Sequence, residues 1–409
     1  MNLYLSKKCK YVTGRVNAAI YDLKNNKIYA LNYLGRRIID KVLKTNCDNL
    51  TKEEKEYIDK LINMKLLTDI YEEDEEIVYK PRLNFAWLEI TEMCNMSCIH
   101  CYGKFGVPKC PSKNKLNFED WKRIIDKIKK LGCNKIQLIG GEPMVDSDFY
   151  RILEYAYEKI KNITVFTNAT LINEKNVKEL KKYNIKVRVS LYGHNSYVHD
   201  NITKHKGSFD LTKKALLLLK RENISTSIAI TIMRENEQYI REIQEFVKGI
   251  GYKFNGYDVI RPSSVNEKEE HSVRSKKTLQ KKYQVSPIFY TSEKDFYRNK
   301  QFNSCWNGKI SITSEGNIIP CVFSRNIIIG NVKKDNYKTI KNNLIKYWKL
   351  TIDRIEECKE CEFRYACHDC RPLAIGINGS LYKKNPRCCY SPKNGIWKDI
   401  ENVTKELSK

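Results

Sequence analysis

Cys94, Cys98 and Cys101 stand in the string TEMCNMSCIHCYG, directly behind an apolar run that reads as a strand. This C-x3-C-x2-C spacing constrains the chain more than any other feature. Three thiolates so placed can hold three irons of a [4Fe–4S] cube on one short loop, leaving the fourth iron without a protein ligand. An open iron can chelate a small molecule and pass it an electron. The same spacing, i, i+4, i+7, would also set three cysteines on one helix face. Asn95, Ser97 and Gly103 are poor helix-interior residues, however, and no helical apolar pattern surrounds them.

A chain of 409 residues has room for two or three domains with real cores, and 41% hydrophobic residues exclude a disordered protein. No stretch of about 18 apolar residues is present to span a membrane. The start, MNLYLSKKCKYV, has no apolar run of signal-peptide length, so the expected location is the cytoplasm. Fifteen cysteines in a reducing compartment point to metal rather than to disulfides. Cys9, Cys47, Cys110 and Cys133 lack metal-like spacing and read as small buried hydrophobes. The net charge of +25 comes from lysines spread along the chain, a compositional bias with a minor electrostatic pull on an acidic peptide. No basic cluster interleaved with aromatics is present to stack bases, so neither nucleic acid nor membrane is expected as a partner.

Residues 1–80 read as a small α+β module. NAAIYDL and KIYALN alternate apolar and polar residues around a turn at Lys24-Asn25-Asn26, predicting a hairpin. LGRRIIDKVLK and TKEEKEYIDKLINMKLL have helical periodicity, the second with a Thr51–Glu54 capping box. Two or three strands with three short helices suit a winged-helix-like fold. The acidic run Asp69 to Glu76 closes it as a linker. The module is expected to fold semi-independently.

Residues 82–261 alternate strands and helices. LNFAWLEI, KIQLIG, ITVFTN, KVRVSLYG, STSIAITIM and YKFNGYDVI read as buried parallel strands, with amphipathic helices such as FEDWKRIIDKIKKLG between them. Six βα repeats are too few for a closed eight-stranded barrel, so the expected fold class is α/β, a partial (β/α)6 barrel. Residues 262–300 read as a polar connecting segment over the surface, 301–392 as a cysteine-rich domain, and 393–409 as a tail.

Several motifs fall at predicted strand ends. Gly140-Gly141-Glu142-Pro143 follows the second strand; paired glycines allow close backbone approach to a ligand, and a carboxylate can accept from an ammonium. Asn168 ends the third strand, Ser190 the fourth, and Tyr102 follows Cys101. Arg234 and Arg261 lie near the ends of the fifth and sixth. His100, His194 and His199 suit packing or capping roles better than acid–base catalysis. Farther on come Cys305, Cys321, Cys358-x2-Cys361-x5-Cys367-x2-Cys370 and Cys388-Cys389, more cysteines than one structural zinc needs.

From about Arg82 to Cys389 the chain resembles the radical S-adenosylmethionine (SAM) enzymes, within them the peptide-modifying subgroup with a C-terminal SPASM domain. The resemblance implies that SAM chelates the open iron of the cluster on Cys94, Cys98 and Cys101. Reductive cleavage then yields methionine and a 5′-deoxyadenosyl radical, which abstracts hydrogen from the substrate. It implies that Gly140, Gly141, Glu142 and Pro143 contact the methionyl amino group. Asn168 would contact the ribose or the carboxylate, Ser190 would contact the ribose, and Tyr102 would lie near the adenine. Ala169 departs from the family's glycine in TNGT. One or two auxiliary [4Fe–4S] clusters are implied. One would be held by Cys358, Cys361, Cys367 and Cys388 or Cys389, the other by Cys305, Cys321 and Cys370. Ser311 stands where a further ligand would come, leaving an open iron there.

Residues 1–80 resemble the peptide-recognition element of peptide maturases, whose sheet edge captures a precursor leader as an added strand. The function so implied is maturation of a ribosomal precursor peptide through a thioether or C–C cross-link, with flavodoxin or ferredoxin as electron donor. Two other readings are a sulfatase-maturase-like modifier of a folded protein and a non-enzymatic, zinc-binding peptide scaffold.

Overall fold

The computed structural model describes residues 2–44, 50–106, 112–261 and 271–407. Cys47 and Cys110 lie outside the described residues. The chain divides into two compact units.

The first unit comprises Met1–Lys80, Lys282–Cys305 and Trp348–Lys409. It begins with β1 (Tyr4–Leu5), β2 (Cys9–Thr13), β3 (Ala18–Asp22) and β4 (Lys27–Leu31). The predicted hairpin is β3–β4, in register from Ala18↔Leu31 to Asp22↔Lys27. Asn26 takes the left-handed conformation of its turn at φ 56°, which asparagine tolerates well. β2 joins the other edge of β3, a strand that the sequence reading did not include. Two helices follow among the described residues, Tyr33–Lys44 and Lys52–Asn63, where three were expected. β5 (Leu67–Thr68) then pairs with β1. The Thr51 hydroxyl accepts from Glu54 N at 3.2 Å and the Glu54 carboxylate accepts from Thr51 N at 3.0 Å, completing the expected capping box.

All of β3 is buried, because both of its faces are covered. Ala18 and Ile20 pack with Ile39, Val42, Ile58 and Leu61 of the two helices. The alternate residues Ala19 and Tyr21 pack with Phe296, Tyr297, Phe363, Ala366 and Tyr390. The Tyr21 hydroxyl donates to the carbonyl of Glu362 at 2.8 Å, and Arg15 N to that of Glu360 at 2.8 Å. The N-terminal segment thus shares one core with C-terminal chain, and the expected semi-independence is not met. The stretch read as connecting segment supplies part of that core. Its helix Glu293–Gln301, capped by Ser292, contributes only Phe296 and Tyr297 as buried apolar side chains, too few for a periodic signal.

The second unit comprises Pro81–Lys281 and Trp306–Tyr347. Its parallel strands are β6 (Phe85–Glu89), β7 (Lys135–Ile139), β8 (Asn162–Thr167), β9 (Lys186–Leu191), β10 (Thr226–Ile232) and β11 (Asp258–Val259), adjacent in sequence order. This is the expected open α/β arrangement of six strands. Helices come between them; Phe118–Lys130 buries Trp121, Ile124, Ile125 and Ile128, the stripe that a helix presents to a sheet. β11 is shorter than its apolar run, since Gly256 turns the chain at φ +87° just before it. β12 (Lys309–Ile312) pairs parallel with β6, and β13 (Asn317–Ile319) and β14 (Gly330–Asn331) follow antiparallel, making nine strands. These three had been read as part of the cysteine-rich region. Among the described residues no helix is long and apolar enough to cross a membrane.

Candidate active site

The loops at the carboxyl ends of the parallel strands meet around a cavity of about 380 Å³ in the second unit. Cys94, Cys98 and Cys101 line it, together with Tyr102, Gly140, Gly141, Asn168, Ser190 and Arg261. Deeper in the strands its wall is Trp87, Gln137, Phe166 and Arg188.

Three anchors fix the cysteine loop. Gly141 N donates to Thr91 O at 2.8 Å and Glu142 N to Met93 O at 2.9 Å, tying the loop to the end of β7. A Cβ on Gly140 would strike the Thr91 carbonyl and one on Gly141 the Met93 carbonyl, so both glycines are required for this approach. On the far side, Ser97 N and Ile99 N donate to the carbonyls of Thr203 and Ile202, at 3.1 and 3.0 Å. Between them, Asn168 Nδ2 donates to Asn95 Oδ1 at 2.8 Å, while Asn95 Nδ2 donates to Thr170 Oγ1 at 2.8 Å. Ala169, where the family has glycine, holds a left-handed φ of 65°.

Glu142 does not line the cavity. It is fully buried, accepting from Thr167 Oγ1 at 2.8 Å, Asn168 N at 2.8 Å and Met144 N at 3.1 Å. Burial pushes its carboxyl up to about 7 against the pull of those donors. It therefore props the β7 and β8 ends beneath the cavity-lining glycines, and Pro143 is buried beside it. Arg261 lines the cavity and Arg234 does not. His199 is buried, its Nδ1 accepting from Tyr192 N at 3.2 Å, and burial lowers it to about 4. His100 is lowered to about 4 in the same way and packs edge-on against Tyr192. Both are neutral packing groups.

One part of the site was invisible in the sequence. Glu89, the last residue of β6, is fully buried, and both its oxygens accept from Arg325 Nη1 at 2.9 Å. The Tyr102 hydroxyl also donates to it, at 3.3 Å. Burial still raises the Glu89 carboxyl. Arg325 lies over the Phe105 ring at 5.2 Å, so one guanidinium clamps the cluster loop to the strand. Removing one partner of a buried pair strands the other charge, at a cost of about 3–5 kcal/mol. Arg325→Met is therefore expected to lower stability by about that amount, while Glu89→Gln with Arg325→Met recovers part of the loss. Denaturant unfolding of the single and the double variant measures it.

The donor set fits a [4Fe–4S] cluster. Three half-buried, unbridged thiols face one cavity. Burial raises all three, Cys94 to about 12, and for Cys94 and Cys98 neighbouring thiols of the trio add to the shift, so positive charge is needed to hold them as thiolates. The first unit repeats the pattern. Cys358, Cys361, Cys367 and Cys388 line one small pocket, and burial raises each, Cys358 to about 12. Cys389 is not in that lining. Cys305 and Cys370 belong to the first unit and Cys321 to the second.

Residues 88–247 match the Radical SAM superfamily, and residues 305–371 match the SPASM iron–sulfur cluster-binding domain. The chain belongs to the radical SAM superfamily and is an enzyme of that class, using [4Fe–4S] clusters and SAM. Within the superfamily it is of the SPASM type. It is 28% identical over 331 residues to the antilisterial bacteriocin subtilosin biosynthesis protein AlbA of Bacillus subtilis, covering 77% of this chain and 72% of that protein. It is 24% identical over 345 residues to an AdoMet-dependent heme synthase of Methanosarcina barkeri, covering 76% and 97% respectively. The structure of Streptococcus suis SuiB bound to precursor peptide SuiA shares the fold at a TM-score of 0.60 and 16% identity, over 94% of this chain and 98% of that one.

Proposed function

We propose that the chain is a maturase of a ribosomally made precursor peptide, forming a thioether or C–C cross-link in its core. The observation that carries this reading is the single cavity with two ends: cysteines and glycines at one, and Trp87, Gln137, Phe166 and Arg188 at the other. It suits a cofactor and a substrate side chain in line. The bound cluster and SAM supply one-electron cleavage to a 5′-deoxyadenosyl radical, with flavodoxin or ferredoxin as donor. Gly140 and Gly141 offer backbone groups to the methionyl end, Asn168 and Ser190 fix the ribose, and Tyr102 packs the adenine. Cys358, Cys361, Cys367 and Cys388 hold an auxiliary cluster that accepts an electron or binds substrate.

The leader adds to β4. The start of that edge is already paired, since Ile28 N donates to Phe289 O at 3.0 Å and Lys27 bridges Tyr290. This leaves Tyr29 to Leu31 for the leader. The enzyme works in the cytoplasm. Similarity to AlbA and the shared fold of peptide-bound SuiB support the peptide reading.

The test is anaerobic incubation with the product of a small reading frame beside the gene, followed by mass spectrometry. Loss of two hydrogens per cross-link is expected, and Cys361→Ala is expected to yield 5′-deoxyadenosine without cross-linked peptide. Conversion of a porphyrin but of no peptide would transfer the assignment to the heme-synthase side of the family.

A further inference from the structure

We infer that Arg188 is the carboxylate-recognition group of the substrate site, so that the core peptide presents an aspartate or glutamate side chain inside the barrel. This rests on the maturase reading and adds the chemistry of its substrate. Arg188 lies on β9 two residues before Ser190, hence on the same strand face and about 7 Å deeper. It pairs in register with Phe166 of β8, on the substrate side of the ribose position. Both side chains line the cavity, with the guanidinium 5.6 Å from the Phe166 ring centre.

Among the described residues no carboxylate pairs with this cation. Among the cavity-lining residues the only carboxylate is Asp258, which sits 4.0 Å from Arg261 and pairs in register with Thr231, well up β10 from the Ser227 that faces Arg188. The nearby Glu89 carboxylate is held by Arg325 and Tyr102. An arginine stays charged at any physiological pH. Between Trp87, Ile139 and Phe166 it offers a planar fork of donors matched to a carboxylate. An acidic side chain bound there would fix the adjacent peptide backbone against the ribose end of the cavity, where hydrogen is abstracted.

The experiment uses the full-length holoenzyme, reconstituted anaerobically, with SAM present and reductant absent, to capture a displayed randomised peptide library. Aspartate and glutamate are expected to be enriched about tenfold over asparagine and glutamine. Arg188→Gln should abolish that preference, Arg188→Lys retain part of it, and Arg188→Glu replace it with a preference for lysine and arginine. Captured peptides with the same composition for all four proteins overturn the assignment and leave the maturase reading standing. Capture of no peptide removes the maturase reading and this assignment with it. The methionyl carboxylate of SAM is the other carboxylate in the cavity. A titration of SAM followed by the cluster's EPR signal separates the two: cofactor affinity weakened in Arg188→Gln as much as the peptide preference overturns the substrate assignment.

Discussion

Replacing Cys94, Cys98 and Cys101 together by Ala is expected to abolish 5′-deoxyadenosine formation. It should also remove about four of about twelve irons per chain from anaerobically purified protein. The loss should be complete because, among the described residues, no other cysteine set lines the cavity with Gly140 and Gly141. The loop binds the ends of β7 and β8 through Gly141, Glu142 and Asn168, and its three cysteines line the cavity beside those anchors. The substitution should leave the fold in place, since buried free cysteines behave as small apolar groups and the anchoring bonds come from neighbouring residues. Circular dichroism checks that point, and iron analysis with product chromatography checks the rest. Continued 5′-deoxyadenosine formation would place the radical site elsewhere.

What the sequence displayed and what it hid follow from the range of the interactions. The cysteine loop, the glycine pair and Asn168 each follow a strand of the βα pattern and Ser190 lies near the end of one, so their order along the chain is their order around the cavity. Glu142 was misread in one respect: its carboxylate was taken to face the ligand but turns inward to Thr167 and Asn168. The Glu89–Arg325 clamp was hidden because its partners are 236 residues apart and Arg325 lies in no motif. Arg188 was hidden for another reason. KVRVSLYG reads as a buried strand whose end residue Ser190 carries the chemistry, and only the register with Phe166 places the interior Arg188 on the cavity wall. β12 to β14 were missed because their short apolar runs fall among the C-terminal cysteines, and only their pairing with β6 places them in the sheet.

Deleting residues 1–76 is expected to destroy the first unit rather than to leave a working catalyst without its recognition element. The deletion removes β3, whose Ala19 and Tyr21 cover Phe296, Tyr297, Phe363 and Tyr390. Burial of a large apolar side chain contributes about 1.5–3 kcal/mol, so uncovering four aromatics forfeits about 6–12 kcal/mol. That is comparable with the whole stability of a typical domain, about 5–15 kcal/mol. The segment carrying Phe363 and Tyr390 also carries Cys361, Cys367 and Cys388, and the Tyr21 hydroxyl donates to the Glu362 carbonyl beside the first of them. Disordering it should release the auxiliary cluster, because cluster binding and folding of its loop are coupled. The truncated protein should therefore lose auxiliary iron and its cooperative melt, together with peptide modification. Leader recognition has to be measured on the intact chain, by competition with a free synthetic leader. Full iron content and an unchanged melting temperature in the truncated protein would show that residues 1–76 are no part of this core, and would restore them as a detachable recognition module.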